Sequence, residues 1–97
     1  MKRKNSQTIG EVIRDFLEEN KHLQQRIHET RIEHAWTEVL GEMVMRYTRN
    51  LYVKNRILYV SISSSVLRNE LNLSRERLVK NLNRHAGADV IDSIVIR

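Results

Sequence analysis

The sequence predicts a small α+β domain with elements in the order α-α-β-β-α-β. Apolar residues recur with a helical period of about 3.6 as far as residue 45 and alternate with a period of about two over residues 50–62. Helical spacing then returns, and a second alternating run closes the chain. The chain has 97 residues, which is the length of one domain. We therefore expect a single domain over residues 8–97.

The first predicted helix begins at Thr8 and ends near Asn20. Thr8 and Glu11 have the spacing of a capping box, in which each side chain bonds the backbone N–H of the other residue. One face of this helix is apolar and carries Ile9, Val12, Ile13, Phe16 and Leu17. Residues 21–28 contain few apolar anchors, so the sequence leaves open whether they continue the helix.

The second predicted helix covers about residues 29–40. Trp36 lies within its apolar stripe, between Ala35 and Val39, which predicts a core position for the indole ring. Gly41 follows at the place where a left-handed residue commonly ends a helix. One further short turn is expected over residues 43–45.

A two-residue turn at Asn55 and Arg56 is predicted to join the two strands of a β-hairpin, because asparagine tolerates positive φ. The turn fixes the register of the strands. The expected pairs are Lys54 with Ile57, Val53 with Leu58, Tyr52 with Tyr59, and Leu51 with Val60. In this register Tyr52 and Tyr59 pair on the face opposite the aliphatic core residues.

The third predicted helix is the longest, begins after a cap at Ser64 or Ser65, and ends at Gly87. The alternating residues 90–96 predict a closing strand. A helix between two strands permits a parallel crossover, so we expect the closing strand to pair with the second hairpin strand. The result is a three-stranded sheet with helices packed on one face and the other face open to solvent.

Composition excludes several classes of protein. The chain has no cysteine, which excludes disulfides and thiolate metal sites and favours a cytoplasmic protein. No apolar run approaches the roughly 18 residues that a membrane span needs. Residues 1–7 are polar and basic, lack the apolar stretch of a signal peptide, and are predicted to form a flexible tail.

The formal net charge of +5 is concentrated in one segment, because no acidic residue occurs between Glu42 and Glu70. Bases can neutralise phosphates, and tyrosine rings can stack on nucleobases, so this segment predicts a nucleic-acid surface. A solvated basic face, or a site for an acidic protein, would have the same composition. The candidate contacts are Arg46, Arg49, Tyr52, Lys54, Arg56, Tyr59 and Arg68, with Lys2, Arg3 and Lys4 of the tail as additional phosphate contacts.

No motif in the sequence indicates catalysis or a cofactor. His34 and Glu38 have the spacing to share a metal ion on a helix, but no third ligand follows from the spacing. Residues 63–65 are serines without the glycines of a nucleophile elbow. The three glycines are too far apart for a phosphate-binding loop. We expect a binding protein with no metal, no cofactor and no small-molecule substrate.

Several motifs, taken in order along residues 8–97, resemble the DciA family of bacterial proteins. They are residues 36–41 (WTEVLG), 47–48 (YT), 57–60 (ILYV), 63–64 (SS), 66–71 (VLRNEL), 82–83 (LN), Gly87 and 94–97 (IVIR). The resemblance implies a KH-like fold and a non-catalytic role in loading the replicative DNA helicase, with the helicase and single-stranded or forked DNA as partners. The G-x-x-G loop with which KH domains clamp nucleic acid is absent. An RNA-binding KH-like module remains an alternative.

Overall fold

The computed structural model describes residues 8–97, with the side chain of Leu17 left out. It confirms an α+β domain with a three-stranded mixed sheet and helices packed against that sheet. The elements are α1 (Ile9–Glu19), α2 (Lys21–Tyr47), β1 (Thr48–Lys54), β2 (Ile57–Ile62), α3 (Ser65–Leu73), α4 (Arg75–Ala86) and β3 (Ser93–Ile96). The predicted basic tail, residues 1–7, lies outside the described residues.

Helix α1 and the first part of α2 form an arm that extends from the body of the domain. The capping box is confirmed: the Thr8 N–H donates to Glu11 Oε1 over 2.9 Å, and the Glu11 N–H donates to Thr8 Oγ1 over 3.1 Å. Asn20 separates the two helices, as expected. The open question about residues 21–28 is settled, because α2 begins at Lys21. The arm explains a radius of gyration of 17.0 Å, where a compact chain of this length would have about 12–13 Å.

Gly41 breaks α2 into two helical segments, at the place where the sequence predicted the end of a helix. Its φ of 85° is positive, as predicted, but its ψ of 177° is far from the left-handed helical conformation. The helix resumes and continues to Tyr47, so the predicted short turn after Gly41 is confirmed and longer than expected. The buried side chain of Val44 explains the extra turn, because it anchors this segment in the core.

Replacing Gly41 with alanine is expected to destabilise the domain by about 1–3 kcal/mol, because this region of φ and ψ is open almost only to glycine. Strain would be the cause, since no atom lies within 4 Å of the added Cβ. Chemical denaturation of the two proteins measures the difference. Gly87→Ala is the matched control: Gly87 has φ 80° and ψ 15°, and that conformation costs about 1–2 kcal/mol. An unchanged midpoint for Gly41→Ala would contradict the strain.

The hairpin has the predicted register, with Lys54 opposite Ile57 and Tyr52 opposite Tyr59. Asn55 and Arg56 both have positive φ, 54° and 63°, as a type I′ turn requires. The pairing shifts between Thr48 and Asn50, so Arg49 occupies a β-bulge, which the alternation of residues did not predict.

The helical segment after the hairpin is two helices, so the prediction of one longest helix is wrong. The Ser64 hydroxyl caps α3 by accepting the Leu67 N–H over 3.2 Å, which confirms one of the two proposed caps. At Ser74 the backbone N–H bonds the Leu71 carbonyl, a tightened final turn, and α4 starts there. The buried leucines fit one unbroken helix equally well, so their spacing could not reveal the break.

The core lies between one face of the sheet and helices α2 and α4. Strand β3 pairs with β2 in parallel, as predicted, and β2 is the central strand. The core position of Trp36 is confirmed, since its side chain is fully buried. Its Nε1–H donates to Thr48 Oγ1 over 3.2 Å, and this hydroxyl donates to the Val44 carbonyl over 2.9 Å. These bonds hold the start of β1 against the end of α2.

Candidate nucleic-acid interface

The sheet face opposite the core is uncovered by the described helices and carries the predicted tyrosine pair. Alternate residues of each strand point to it, because the intervening residues face the core. In strand order its residues are Asn50, Tyr52 and Lys54 on β1, Ile57, Tyr59 and Ser61 on β2, and Ser93, Val95 and Arg97 at β3. We call this surface the open face.

The two tyrosines and Arg97 form one cluster at the middle of the open face. The rings of Tyr52 and Tyr59 are stacked, with centroids 5.0 Å apart and planes at 15°. The guanidinium of Arg97 lies 5.4 Å from the Tyr59 centroid, and its Nη2 donates to the Tyr52 hydroxyl over 3.3 Å. Tyr59 is therefore covered by its neighbours, whereas Tyr52, on the edge strand, is 42% exposed and leaves its ring available for stacking.

Four arginines come from the end of the sheet where β1 begins and β2 and β3 end, and the side chain of one of them, Arg97, reaches back over Tyr59. Arg46 is in the last turn of α2, and its carbonyl accepts the Arg49 Nη1–H over 2.8 Å. Arg68 donates to the carbonyl of Ile62, which pairs with Thr48, and the Ile62 N–H bonds the Arg97 carbonyl. Within residues 8–97 none of the four arginines forms an ion pair. We call Arg46, Arg49, Arg68 and Arg97 the basic end.

The turn end of the hairpin differs, because Arg56 faces two carboxylates. Arg56 Nε and Nη2 donate to the two carboxylate oxygens of Asp92 over 3.0 and 2.8 Å. Nη2 also lies 3.5 Å from Asp89, and Nη1 donates to the Asp89 carbonyl over 3.0 Å. Lys54 and Arg56 thus share this end with two acids. Roughly 17 Å of strand, at about 3.3 Å per residue, separates Lys54 from Arg49.

The bidentate contact with Arg56 lowers the pKa of Asp92 below its ordinary value of 3.8. A lowered folded-state pKa stabilises the fold above the unfolded pKa, and the contribution is lost as the pH falls through the folded value. We expect an NMR titration to show Asp92 protonating below pH 3.8. Arg56→Gln should raise that midpoint, and the control Arg49→Gln should leave it unchanged. A midpoint unaffected by Arg56→Gln would show that the contact does not form in solution.

The structure divides the predicted contact residues into separate groups. Arg46, Arg49 and Arg68 belong to the basic end, Tyr52 and Tyr59 to the middle of the open face, and Lys54 and Arg56 to the turn end. Lys2, Arg3 and Lys4 lie outside the described residues. Arg97 was missed by the sequence reasoning. Extending the alternation of the closing strand by one residue would have placed it on the open face, two residues after Val95.

No three histidine or acidic side chains among residues 8–97 are grouped closely enough to hold a metal ion. Glu38, the candidate ligand beside His34, instead contacts His85 Nε2 over 2.6 Å and joins α2 to α4. None of the helices in this part of the chain has both the length and the apolar character to span a membrane.

Fold and surface together define a small α+β domain with a basic end beside a tyrosine-bearing sheet face. Residues 8–96 match the family described as "Dna[CI] antecedent, DciA", and the chain belongs to that family. The family is related to helicase loading in DNA replication and is an accessory family, not a catalytic one. No curated protein matches the chain significantly. No solved structure matches it either.

Proposed function

We propose that this chain is an accessory factor of bacterial DNA replication that helps load the replicative helicase. In this proposal it binds the helicase and single-stranded or forked DNA in the cytoplasm and catalyses no reaction itself. Family membership supports the replication role. The order of two helices, a hairpin and a parallel third strand supports the KH-like fold that the resemblance implies.

One observation carries the DNA-binding half of the proposal: four arginines without ion pairs among the described residues come from one end of the sheet, and one of them, Arg97, contacts the exposed Tyr52 on the open face. Such a surface attracts phosphates through charge and accommodates a base by stacking. The chain offers no glycine loop that would clamp the backbone, so we expect weak, salt-sensitive and sequence-tolerant binding. The turn end contributes less, because the charge of Arg56 is matched by Asp92 and Asp89.

A fluorescence titration of labelled single-stranded DNA tests this half directly. We expect binding at about 0.05 M salt that weakens steeply towards about 0.2 M, because bound phosphates release counterions. An absence of binding at the lower salt would contradict DNA binding. Competition with RNA of matched sequence separates the RNA-binding alternative, since only RNA offers a 2′-hydroxyl. Co-elution with the helicase without any nucleic-acid affinity would instead indicate a pure protein-interaction module.

A further inference from the structure

Helix α1 presents an apolar stripe that nothing in the described chain covers. Ile9, Val12, Ile13 and Phe16 recur at helical spacing and are 79, 49, 53 and 52% exposed. An isolated helix of 11 residues is marginal in water, and an amphipathic helix gains its stability by burying its apolar face. This stripe therefore indicates a docking surface.

The basic end carries a second exposed apolar surface, of opposite charge to α1. Tyr47 and Met43, in the last turns of α2, are 42 and 63% exposed, and Val66, in the first turn of α3, is 73% exposed. The Ser63 N–H donates to the Tyr47 carbonyl over 2.9 Å, so α3 starts beside the end of α2. Arg46, Arg49 and Arg68 belong to the same segments of chain, whereas α1 contains four acids and one base.

These two complementary surfaces cannot meet within one chain. Before the break at Gly41, α2 runs from Lys21 to Leu40, and these 20 residues hold α1 about 30 Å from the segment that leads to the basic end, at about 1.5 Å per residue. Two copies of α1 are also poor partners for each other. An antiparallel pair brings the same flank of both helices together, so the flank that carries the acidic Glu19 would face its own copy.

We propose that a second copy of this chain covers both surfaces, in a two-fold antiparallel dimer where each α1 packs on the partner's basic end. The antiparallel arrangement makes two identical contacts at once and closes the assembly, which a single head-to-tail contact would not do. Each contact sets an acidic apolar helix against a basic apolar surface, so DNA would compete with the partner's α1 for the basic end.

Sedimentation velocity of the full chain, without nucleic acid or helicase, tests this proposal separately from the proposed function. We expect a monomer–dimer equilibrium between about 1 and about 200 µM, weakened by salt because the contacts pair opposite charges. Phe16→Glu and Arg49→Glu should each raise the dissociation constant at least about tenfold. Leu73→Glu, at a more exposed apolar residue outside both surfaces, is the matched control and should leave it unchanged. Far-UV circular dichroism confirms that each variant folds.

Mixing the two variants distinguishes this arrangement from other dimers. The Arg49→Glu chain retains an intact α1 and the Phe16→Glu chain an intact basic end, so one of the two contacts can re-form. We expect the mixture to associate more tightly than either variant alone. A chain that stays monomeric over the whole concentration range overturns the proposal. It would mean that a different protein covers the apolar stripe of α1. Dimerisation that Arg49→Glu does not affect, or a mixture no tighter than the single variants, overturns it as well.

Discussion

Reversing two charges at the basic end, with Arg46→Glu and Arg49→Glu together, is expected to lower the affinity for single-stranded DNA at least about tenfold at low salt. Both side chains are on the exposed surface, and neither forms an ion pair among the described residues. If each contacts one phosphate, the slope of log affinity against log salt should also fall by about 1.4, at about 0.7 per contact. A fluorescence titration at several salt concentrations measures both quantities.

The matched control reverses two arginines elsewhere, Arg75 and Arg77 in the first turn of α4. This variant changes the net charge by the same amount, and both residues are exposed. We expect it to retain most of the affinity, because steering by net charge is weaker than direct phosphate contact. Equal losses in the two variants would mean that the whole charge of the protein attracts DNA and that the basic end has no special role.

Trp36→Ala is expected to cost about 3–5 kcal/mol of stability, because it leaves a large cavity in the core. The whole domain has a stability on the order of 5–15 kcal/mol. The substitution also removes the hydrogen bond to Thr48, which positions the start of β1 beside the basic end. Urea denaturation followed by far-UV circular dichroism measures the loss.

Two further variants separate the cavity from the hydrogen bond. Thr48→Val keeps most of the threonine's volume but removes both bonds of its hydroxyl, the one from the Trp36 N–H and the one to the Val44 carbonyl, at a cost of about 1–3 kcal/mol. Leu73→Ala, at a side chain 82% exposed, should change stability by less than about 0.5 kcal/mol. A Trp36→Ala protein as stable as the Leu73→Ala protein would contradict the core position of the indole.

Local patterns predicted the parts of the fold that depend on neighbouring residues. The capping box of Thr8 and Glu11 and the turn at Asn55 and Arg56 are short-range signals, and the turn alone fixed the register of the hairpin. The apolar stripe that contains Trp36 predicted the core side of α2 for the same reason, because the spacing of apolar residues along a helix shows which face is buried.

Other features depend on contacts that spacing does not encode. The partners of Arg56 include Asp92, which is 36 residues away along the chain. The contact between Arg56 and the α4–β3 loop therefore could not be predicted from the sequence of the hairpin. The break at Ser74 keeps the buried leucines at the spacing of one continuous helix, so their spacing gave no sign of it. Residues 21–28 are helical although most of their side chains are exposed. Because they bury few apolar side chains, the apolar pattern could not predict whether they form a helix.

The loading of the replicative helicase from the same bacterium onto forked DNA tests the proposed function most directly. The helicase is mixed with a fork bearing a labelled strand, with and without this chain, and strand release is followed over time. We expect the chain to increase the rate of strand release at limiting helicase and the Arg46→Glu, Arg49→Glu variant to do so less. A rate that is the same with and without the chain, under conditions where the helicase alone is active, would contradict the proposal.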